Sequence, residues 1–414
     1  MPAMAAEMMA EMMDKMDETR VAIIGAGLGG LCLAQALTRA GIECMVYERD
    51  VALDSRSQGY RLRIDADGAD ALARCLPPPL YGLFRRACAV PAPRSRFLDG
   101  QLAPVTGRAP AVWSAAADAQ SRDGAIRREA AGDLCVHRQT LREILLSGIG
   151  DRVRFGTAFQ GLAVGADGRA HVAFADGTTV RAGLVVAADG VNSAVRRQLI
   201  PQAEPLDVGA VCLYGRTTLS PQVRAVVGDD LCAGTSVVFA DGYAGIIEPM
   251  LFAPVACDSD GVPTGLTPVA DYLYWALIGP RTRLMGGLPE AAPAAVARHL
   301  ARDWHPSLRG LFRHADPDGL ALLPVRSARL ARTWPHWTPA AVTFLGDSIH
   351  AMSPAGGLGA NTALRDAVVL ADSLSTTSSP TAAAREYEVE MRVRAARAIH
   401  LSEVGAAALF ADVF

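Results

Sequence analysis

Apolar runs and helical periodicities alternate along this chain from residue 21 onward. Val21-Ala22-Ile23-Ile24 reads as a buried strand, Leu31 to Arg39 carries helix formers with an apolar pattern, and Ile42 to Glu48 reads as a second strand. Arg61 to Asp65 alternates like a strand, and Ala69 to Leu76 predicts a short helix ended by Pro77-Pro78-Pro79. Residues 89–132 are rich in Ala, Pro, Arg and Gly and read as hairpins and loops, with Trp113 the main large anchor. Val136 to Leu145 starts a helix with Leu141, Ile144 and Leu145 on its apolar side. Val153–Phe155, His171–Phe174 and Thr179-Val180 predict strands punctuated by the turns Asp167-Gly168 and Asp176-Gly177, and Leu184 to Ala188 is the next buried strand.

From about 205 to 280 the pattern becomes strand-rich, over Val208–Leu213, Ser236–Ala240, Tyr243–Ile247 and Tyr272–Leu277. Helical patterns occupy roughly 292–302, and another begins at Leu308. Val342 to Leu345 is a buried strand, followed by a helix from Thr362 through about Ser373. A last long helical pattern over 382–409 predicts a packing or dimerisation helix. At the other end, methionines 1, 4, 8, 9, 12, 13 and 16 make a helical stripe, expected to lie on the body of the protein or to fray as a tail.

Composition narrows the class. With 414 residues, 50% hydrophobic and 20% charged, the chain can bury a sizeable core in two or three domains without staples. A formal charge of -3 argues against a wide nucleic-acid-binding face. The eight cysteines are scattered without a CxxC pair, which predicts buried reduced thiols rather than a disulfide scaffold or zinc site. No stretch is long and apolar enough for a membrane span, and the start lacks the basic region and hydrophobic core of a secretory signal. A cytoplasmic protein, monomeric or homodimeric, is the expectation.

Candidate chemistry lies in glycine-rich turns. Gly25-Ala26-Gly27-Leu28-Gly29-Gly30 sits between the first strand and its helix. There Gly25 permits the tight turn, Gly27 lets backbone approach a pyrophosphate, and Gly30 lets helix and sheet pack closely. Glu48 ends the second strand, 18 residues beyond Gly30, where a carboxylate accepts both hydroxyls of an adenosine ribose. This acid disfavours a 2′-phosphate at the site but does not separate FAD from NAD. Asp189-Gly190-Val191-Asn192-Ser193 follows the strand ending at Ala188, either as a helix-capping turn or as a loop set against a ligand. About 320 residues after the first turn comes Gly346-Asp347-Ser348-Ile349-His350, leading to Pro354-Ala355-Gly356-Gly357-Leu358-Gly359-Ala360-Asn361. Asp347 suits a polyol, and the glycine amides suit a flat ring or phosphate at a new helix's positive end. Arg138 opens another helix, as an anion contact or an ordinary surface arginine. His350 suggests a base but has no companion nucleophile or ligand cluster. No Gly-x-Ser-x-Gly elbow, Walker loop or HExxH helix is present, and no metal site is predicted.

Together these segments resemble the class A (single-component) flavoprotein monooxygenases, the group typified by 4-hydroxybenzoate 3-hydroxylase. Gly25 to Gly30 with Glu48-Arg49 is similar to that family's adenosine and pyrophosphate motif. Asp189-Gly190 with Asn192, Ser193 and Arg196 is similar to its DG motif, and Gly346-Asp347 with the loop to Asn361 is similar to its GD motif. Order and spacing match from about 20 to 375. The resemblance implies an α/β fold, a Rossmann-like FAD-binding domain of the GR2 type interleaved with a mixed-sheet substrate domain, plus C-terminal helices. Its expected parts are an N-terminal extension (1–19), the FAD-binding domain in three pieces (20–88, 133–200 and 326–376), a substrate-side insertion (89–132), the substrate domain (201–325) and a C-terminal helix (377–414).

By the same resemblance FAD is held by Gly25, Gly27, Leu28, Gly30, Glu48, Arg49, Arg138, Asp189, Asp347, Pro354, Gly357, Gly359, Ala360 and Asn361. Arg56, Pro354 and Gly356 would stand at the reacting ring, with Arg61 and Arg63 competing for the place given to Arg56. NADPH or NADH binds transiently, O₂ is the cosubstrate, and a flavin C4a-hydroperoxide passes one oxygen atom to an aromatic or polycyclic small molecule, expected to be a secondary metabolite. The alternatives are a reductase or dehydrogenase of the same fold, or a non-catalytic FAD-binding protein. A flavin halogenase is disfavoured, because Trp334-Pro335-His336-Trp337 lacks the Trp-x-Trp-x-Ile-Pro spacing.

Overall fold

A computed structural model describes residues 17–55, 60–91, 95–105, 133–253, 265–285, 292–329, 337 and 340–410. The methionine stripe, Arg56, Trp113, Cys257 and Trp334 lie outside these residues.

The first strand, β1 (Asp17–Ile24), is apolar from Val21 because it runs through the middle of a sheet covered on both faces. It pairs in parallel with β2 (Cys44–Tyr47) on one side and with a later strand, Thr179–Ala187, on the other. In chain order the intervening strands are β3 (Arg61–Ile64), β4 (Ser95–Asp99), β5 (Leu134–His137), β6 (Val153–Arg154), β7 (Phe159–Val164) and β8 (Ala170–Phe174), making Thr179–Ala187 β9. There follow β10 (Leu206–Thr218), β11 (Thr235–Ala240), β12 (Tyr243–Met250), β13 (Tyr272–Pro280), β14 (Ala321–Ser327) and β15 (Val342–Phe344). The first sheet runs β6-β2-β1-β9-β8-β7; along the edge of β9 away from β1, β8 pairs with the first half antiparallel and β15 with the second half parallel. A parallel core with an antiparallel hairpin at its edge confirms the expected Rossmann-like fold.

One observed feature reaches into an expected segment. β1 starts at Asp17, inside the expected extension, because Asp17, Glu18 and Thr19 pair with Val180, Arg181 and Ala182. The last helix, Pro380–Phe410, packs on the body of the chain: Ala383, Ala384, Tyr387, Met391 and Ala395 belong to the first sheet's own core. Tyr387 O–H donates to the Phe344 carbonyl across 2.9 Å, tying this helix to β15. Tyr387→Phe is expected to lower stability by about 1 kcal/mol, read as a shifted denaturant midpoint at unchanged slope.

The second sheet runs β14-β10-β13-β12-β11-β4, antiparallel except for the β4–β11 pair. Its back face, with Leu213, Trp275, Leu277, Ile247 and Val238, packs on the helices Pro221–Val227, Pro293–Leu300 and Pro306–Arg313. The first of these falls inside the stretch read as strand-rich. Its cues are local: Pro221 at the first helical position and Ser220 Oγ accepting from the Val223 amide at 3.2 Å. Likewise Pro77-Pro78-Pro79 both ends one helix (Ala66–Cys75) and starts the next (Pro78–Ala87). The front face carries Cys212, Ala276, Ile278, Ala244, Val237 and Phe239 and packs against Ala355, beyond β15. The strand register thus places the interleaved domains face to face at one loop. Among the described residues no helix is long and apolar enough to cross a membrane.

Candidate cofactor and active site

Register fixes the site. Ile24 is level with Tyr47 on β2 and with Ala187 on β9, and Ala187 is level with Phe344 on β15. The next residues (Gly25, Glu48, Ala188-Asp189 and Leu345-Gly346-Asp347) therefore leave the sheet together at its carboxyl edge, where open α/β sheets hold their ligands. Contact between these turns is close. A Cβ on Gly25, at φ +109°, would lie 2.5 Å from the Ala188 carbonyl oxygen, and one on Gly30 would lie 2.0 Å from that of Gly25. Only glycine fits at either position.

Two helices point their amino ends at this edge. Leu28–Arg39 and Gly359–Thr376 both lack a side-chain N-cap and an acid in the first turn, leaving their first amides for a ligand. Glu48 is buried, its Oε2 accepting from the Ala26 amide at 2.7 Å and its Oε1 from the Asp50 amide at 2.9 Å, so it also staples the glycine turn to β2. Arg49 is exposed beside it. Asp189 Oδ2 accepts from the Ala194 amide at 2.7 Å, while its Oδ1 is buried with no hydrogen-bond partner among the described residues. Burial raises its carboxyl above the ordinary range. Arg196 is fully buried and clamps two turns together, donating to the Ser348 and Val191 carbonyls and to Glu204, each at 2.8 Å.

Asp347 is enclosed by protein on most sides yet open to water, as the floor of a cleft is. Its enclosure raises the carboxyl, and the charges of His350 and Arg138 oppose that rise. Arg138 faces it from the first position of helix Arg138–Leu146; its Nε is buried without a hydrogen-bond partner among the described residues. Burial pushes this guanidinium below the usual arginine range, with Asp347 and Tyr214 acting the other way. A half-buried guanidinium whose buried Nε has no partner among the described residues fits a phosphate or a flavin's polar edge. Exposed Pro354 and Gly357 flank buried Ala355 and Gly356, and Gly357 takes φ +64° to turn the loop. Gly359 and Ala360 open the helix behind. Asn361 is turned inward: its amide donates to the carbonyls of Arg63 at 3.0 Å and Gly357 at 3.2 Å, and its Oδ1 accepts from the Asp65 amide at 3.3 Å. It holds the loop to β3.

The FAD binding domain family matches residues 18–63 and 134–402, nearly all of this architecture apart from the insertion between them. The chain belongs to that family. A dual O-methyltransferase/FAD-dependent monooxygenase of Cercospora beticola is 36% identical over 95% of this chain, which spans only 46% of that enzyme's length. A 3-amino-4-hydroxybenzoate 2-monooxygenase of Streptomyces platensis is 32% identical, with 92% of this chain and 86% of that enzyme covered. Among solved structures, an FAD-containing monooxygenase from Photorhabdus luminescens superposes with a TM-score of 0.75 at 28% identity, covering 94% of this chain and 98% of that one. Klebsiella pneumoniae HpxO, solved with FAD and uric acid, shares the fold at a TM-score of 0.67 and 21% identity.

In this FAD-binding chain the second sheet closes the cleft from the other side. Tyr214 on β10 lies on the front face of this sheet. Even-numbered residues of β10, β12 and β13 share its face, and cross-strand register sets Glu248 beside Tyr274. Arg61 of β3 reaches Glu248 at 2.6 Å and lies 5.9 Å from the Tyr274 ring centroid, while Cys135 Sγ donates to Glu248 Oε1 at 2.8 Å. Burial pushes the Cys135 thiol up to about 12, so it stays protonated and donates. Of the three competing arginines, Arg61 is thus occupied at the substrate sheet. Arg63 pairs with Asp133, and its stem reaches the Gly357 turn. Sequence reading missed Glu248. Its signal was a lone acid in Gly245-Ile246-Ile247-Glu248-Pro249-Met250.

Proposed function

We propose that this chain is the catalytic unit of a single-component flavin monooxygenase that consumes NAD(P)H and O₂ and places one oxygen atom on an aromatic or polycyclic small molecule. The observation that carries the reading is the common level at which Ile24, Tyr47, Ala187 and Phe344 release their loops, opposite a sheet face bearing Phe97, Phe239, Tyr214 and Tyr274. When bound, FAD supplies acceptance of a hydride from NAD(P)H and activation of O₂. The chain's residues do the rest. Glu48 and the first helix's amides bind the adenosine end, Arg138 neutralises phosphate or ring charge, and Asp347 accepts from ribityl hydroxyls. The Pro354–Gly357 loop backs the ring. The apolar face, with Arg61–Glu248 at one end, seats a flat substrate and excludes water.

A single dinucleotide cradle on the first sheet supports a nicotinamide donor that visits and leaves. The Cercospora and Streptomyces relatives are both monooxygenases, which supports oxygen transfer over simple reduction. The balance is one NAD(P)H, one proton and one O₂ consumed per hydroxylated product and water. The test is to screen phenols, aminohydroxybenzoates and polycyclic aromatics with the FAD-loaded protein for accelerated NAD(P)H oxidation, using ¹⁸O₂. A product carrying one ¹⁸O atom is expected. Accelerated oxidation that yields an unlabelled product carrying two added hydrogens would establish a reductase instead.

A further inference from the structure

Behind the Gly346–His350 turn lies a buried ion network that neither the glycine motifs nor the proposed chemistry uses. His350 is fully buried, with Nε2 2.5 Å from Asp366 Oδ2 on helix Gly359–Thr376. The same Asp366 oxygen accepts from the Gly346 amide at 3.2 Å. The other, Oδ1, accepts from Arg394 Nη2 at 2.8 Å and Nε at 3.1 Å, reaching in from helix Pro380–Phe410. Arg394 is the only member of the trio that water reaches, with 21% of its side chain exposed. His350 Nδ1 is buried with no hydrogen-bond partner among the described residues.

We propose that His350 is a positioning residue of the flavin cradle, relaying the anchorage of Asp366 and Arg394 to the Asp347 carboxylate three residues before it. The proposal rests on Asp347 being an FAD contact. A fully buried carboxylate with two cationic partners is a fixed anchor, since releasing either partner leaves a desolvated charge. Through Gly346 N–H and His350 that anchor fixes both ends of the single turn carrying Asp347. Burial alone would favour neutral imidazole, but Asp366 outweighs it and raises His350 above the ordinary histidine range. Asp366 is lowered by the same partner and by Arg394, against its own burial.

The surrounding charges are few. Asp347 on the same turn and Asp366 on the following helix face His350; Tyr387 and Arg394 of the last helix face Asp366. Arg196 reaches the Ser348 carbonyl, and Arg138 is the second cation acting on Asp347. A charged His350 thus holds Asp347 as the carboxylate that accepts hydroxyl hydrogen bonds.

The sign follows. Removing the imidazolium raises the Asp347 pKa, so its carboxylate is lost at higher pH as acidity increases. With the 414-residue FAD-loaded protein, FAD dissociation constants would be measured by flavin fluorescence across the acid limb and up to neutral and mildly basic pH. His350→Gln is expected to move the acid limb of FAD binding up by about one unit, weakening FAD up to about tenfold on that limb and progressively less as pH rises above it. A loss equal at every pH overturns the relay, because a structural defect has no reason to titrate. Arg394→Gln, at the solvent end, keeps the test open should His350→Gln misfold: it is expected to show the same acid-side loss more weakly, and Arg394→Lys to restore it. A wild-type pH profile in Arg394→Gln would overturn the proposal. Asp347→Asn separates the layers: if it loses FAD while the His350 and Arg394 variants keep the wild-type profile, only the relay fails. If Asp347→Asn binds FAD as wild type does, the assignment of Asp347 itself falls.

Discussion

Asp347→Ala is expected to bind FAD roughly 30- to 150-fold more weakly while the apoprotein melts within a degree or two of wild type. Two hydroxyl hydrogen bonds to a carboxylate contribute about 2–3 kcal/mol when neither is replaced. The apoprotein is indifferent because Asp347 lies on the water-exposed floor of the cleft and no described backbone amide leans on its carboxylate. Glycine-turn positions are poorer probes. A methyl on Gly30, directed at the Gly25 carbonyl, would damage helix–sheet packing and ligand binding together. Titrating FAD into stripped protein by fluorescence, alongside a melting curve of the same sample, checks both halves. Unchanged affinity would remove Asp347 from the cofactor site.

How far the sequence revealed this architecture depended on how local each signal was. The Gly25–Gly30 turn, the Asp189 turn and the Gly346–Asn361 loop were legible because close backbone approach leaves a glycine signature within a few residues. Their convergence was expected only through family resemblance; the register of β1, β2, β9 and β15 supplies the physical reason. Functions arising from contacts between distant segments were not legible. Asp366 looks like an ordinary helix acid in Arg365-Asp366-Ala367, and it becomes an anchor only when Arg394 and His350 arrive from elsewhere. Asn361 also ties its own loop to β3 through backbone carbonyls, a contact no local pattern announced. The last helix was expected to pack or dimerise, but its apolar positions do not reveal which surface they meet. Arg61 and Glu248 lie on different sheets, and neither strand signals the other.

Glu248→Ala is expected to lower folding stability by about 3–5 kcal/mol, because it strands the Arg61 guanidinium at a nearly dry interface. The carboxylate holds Arg61 charged against its own burial, accepts the Cys135 thiol proton's hydrogen bond, and has no replacement among the described residues. Glu248→Gln should cost less, since its amide oxygen still accepts from Cys135. The informative variant removes both charges. Arg61→Met with Glu248→Leu is expected to recover most of the lost stability, because filling such a site with apolar groups avoids desolvating either ion. An ion pair dispensable for stability yet seated beside Tyr274 on the cleft-facing sheet is then best explained by recognition of a polar substituent on the substrate. The double variant should retain FAD and the uncoupled oxidation of NAD(P)H while losing the acceleration that substrate produces. Denaturant unfolding tests the first expectation and oxygen uptake the second. A double variant as unstable as Glu248→Ala would make the pair a structural support of the interdomain contact.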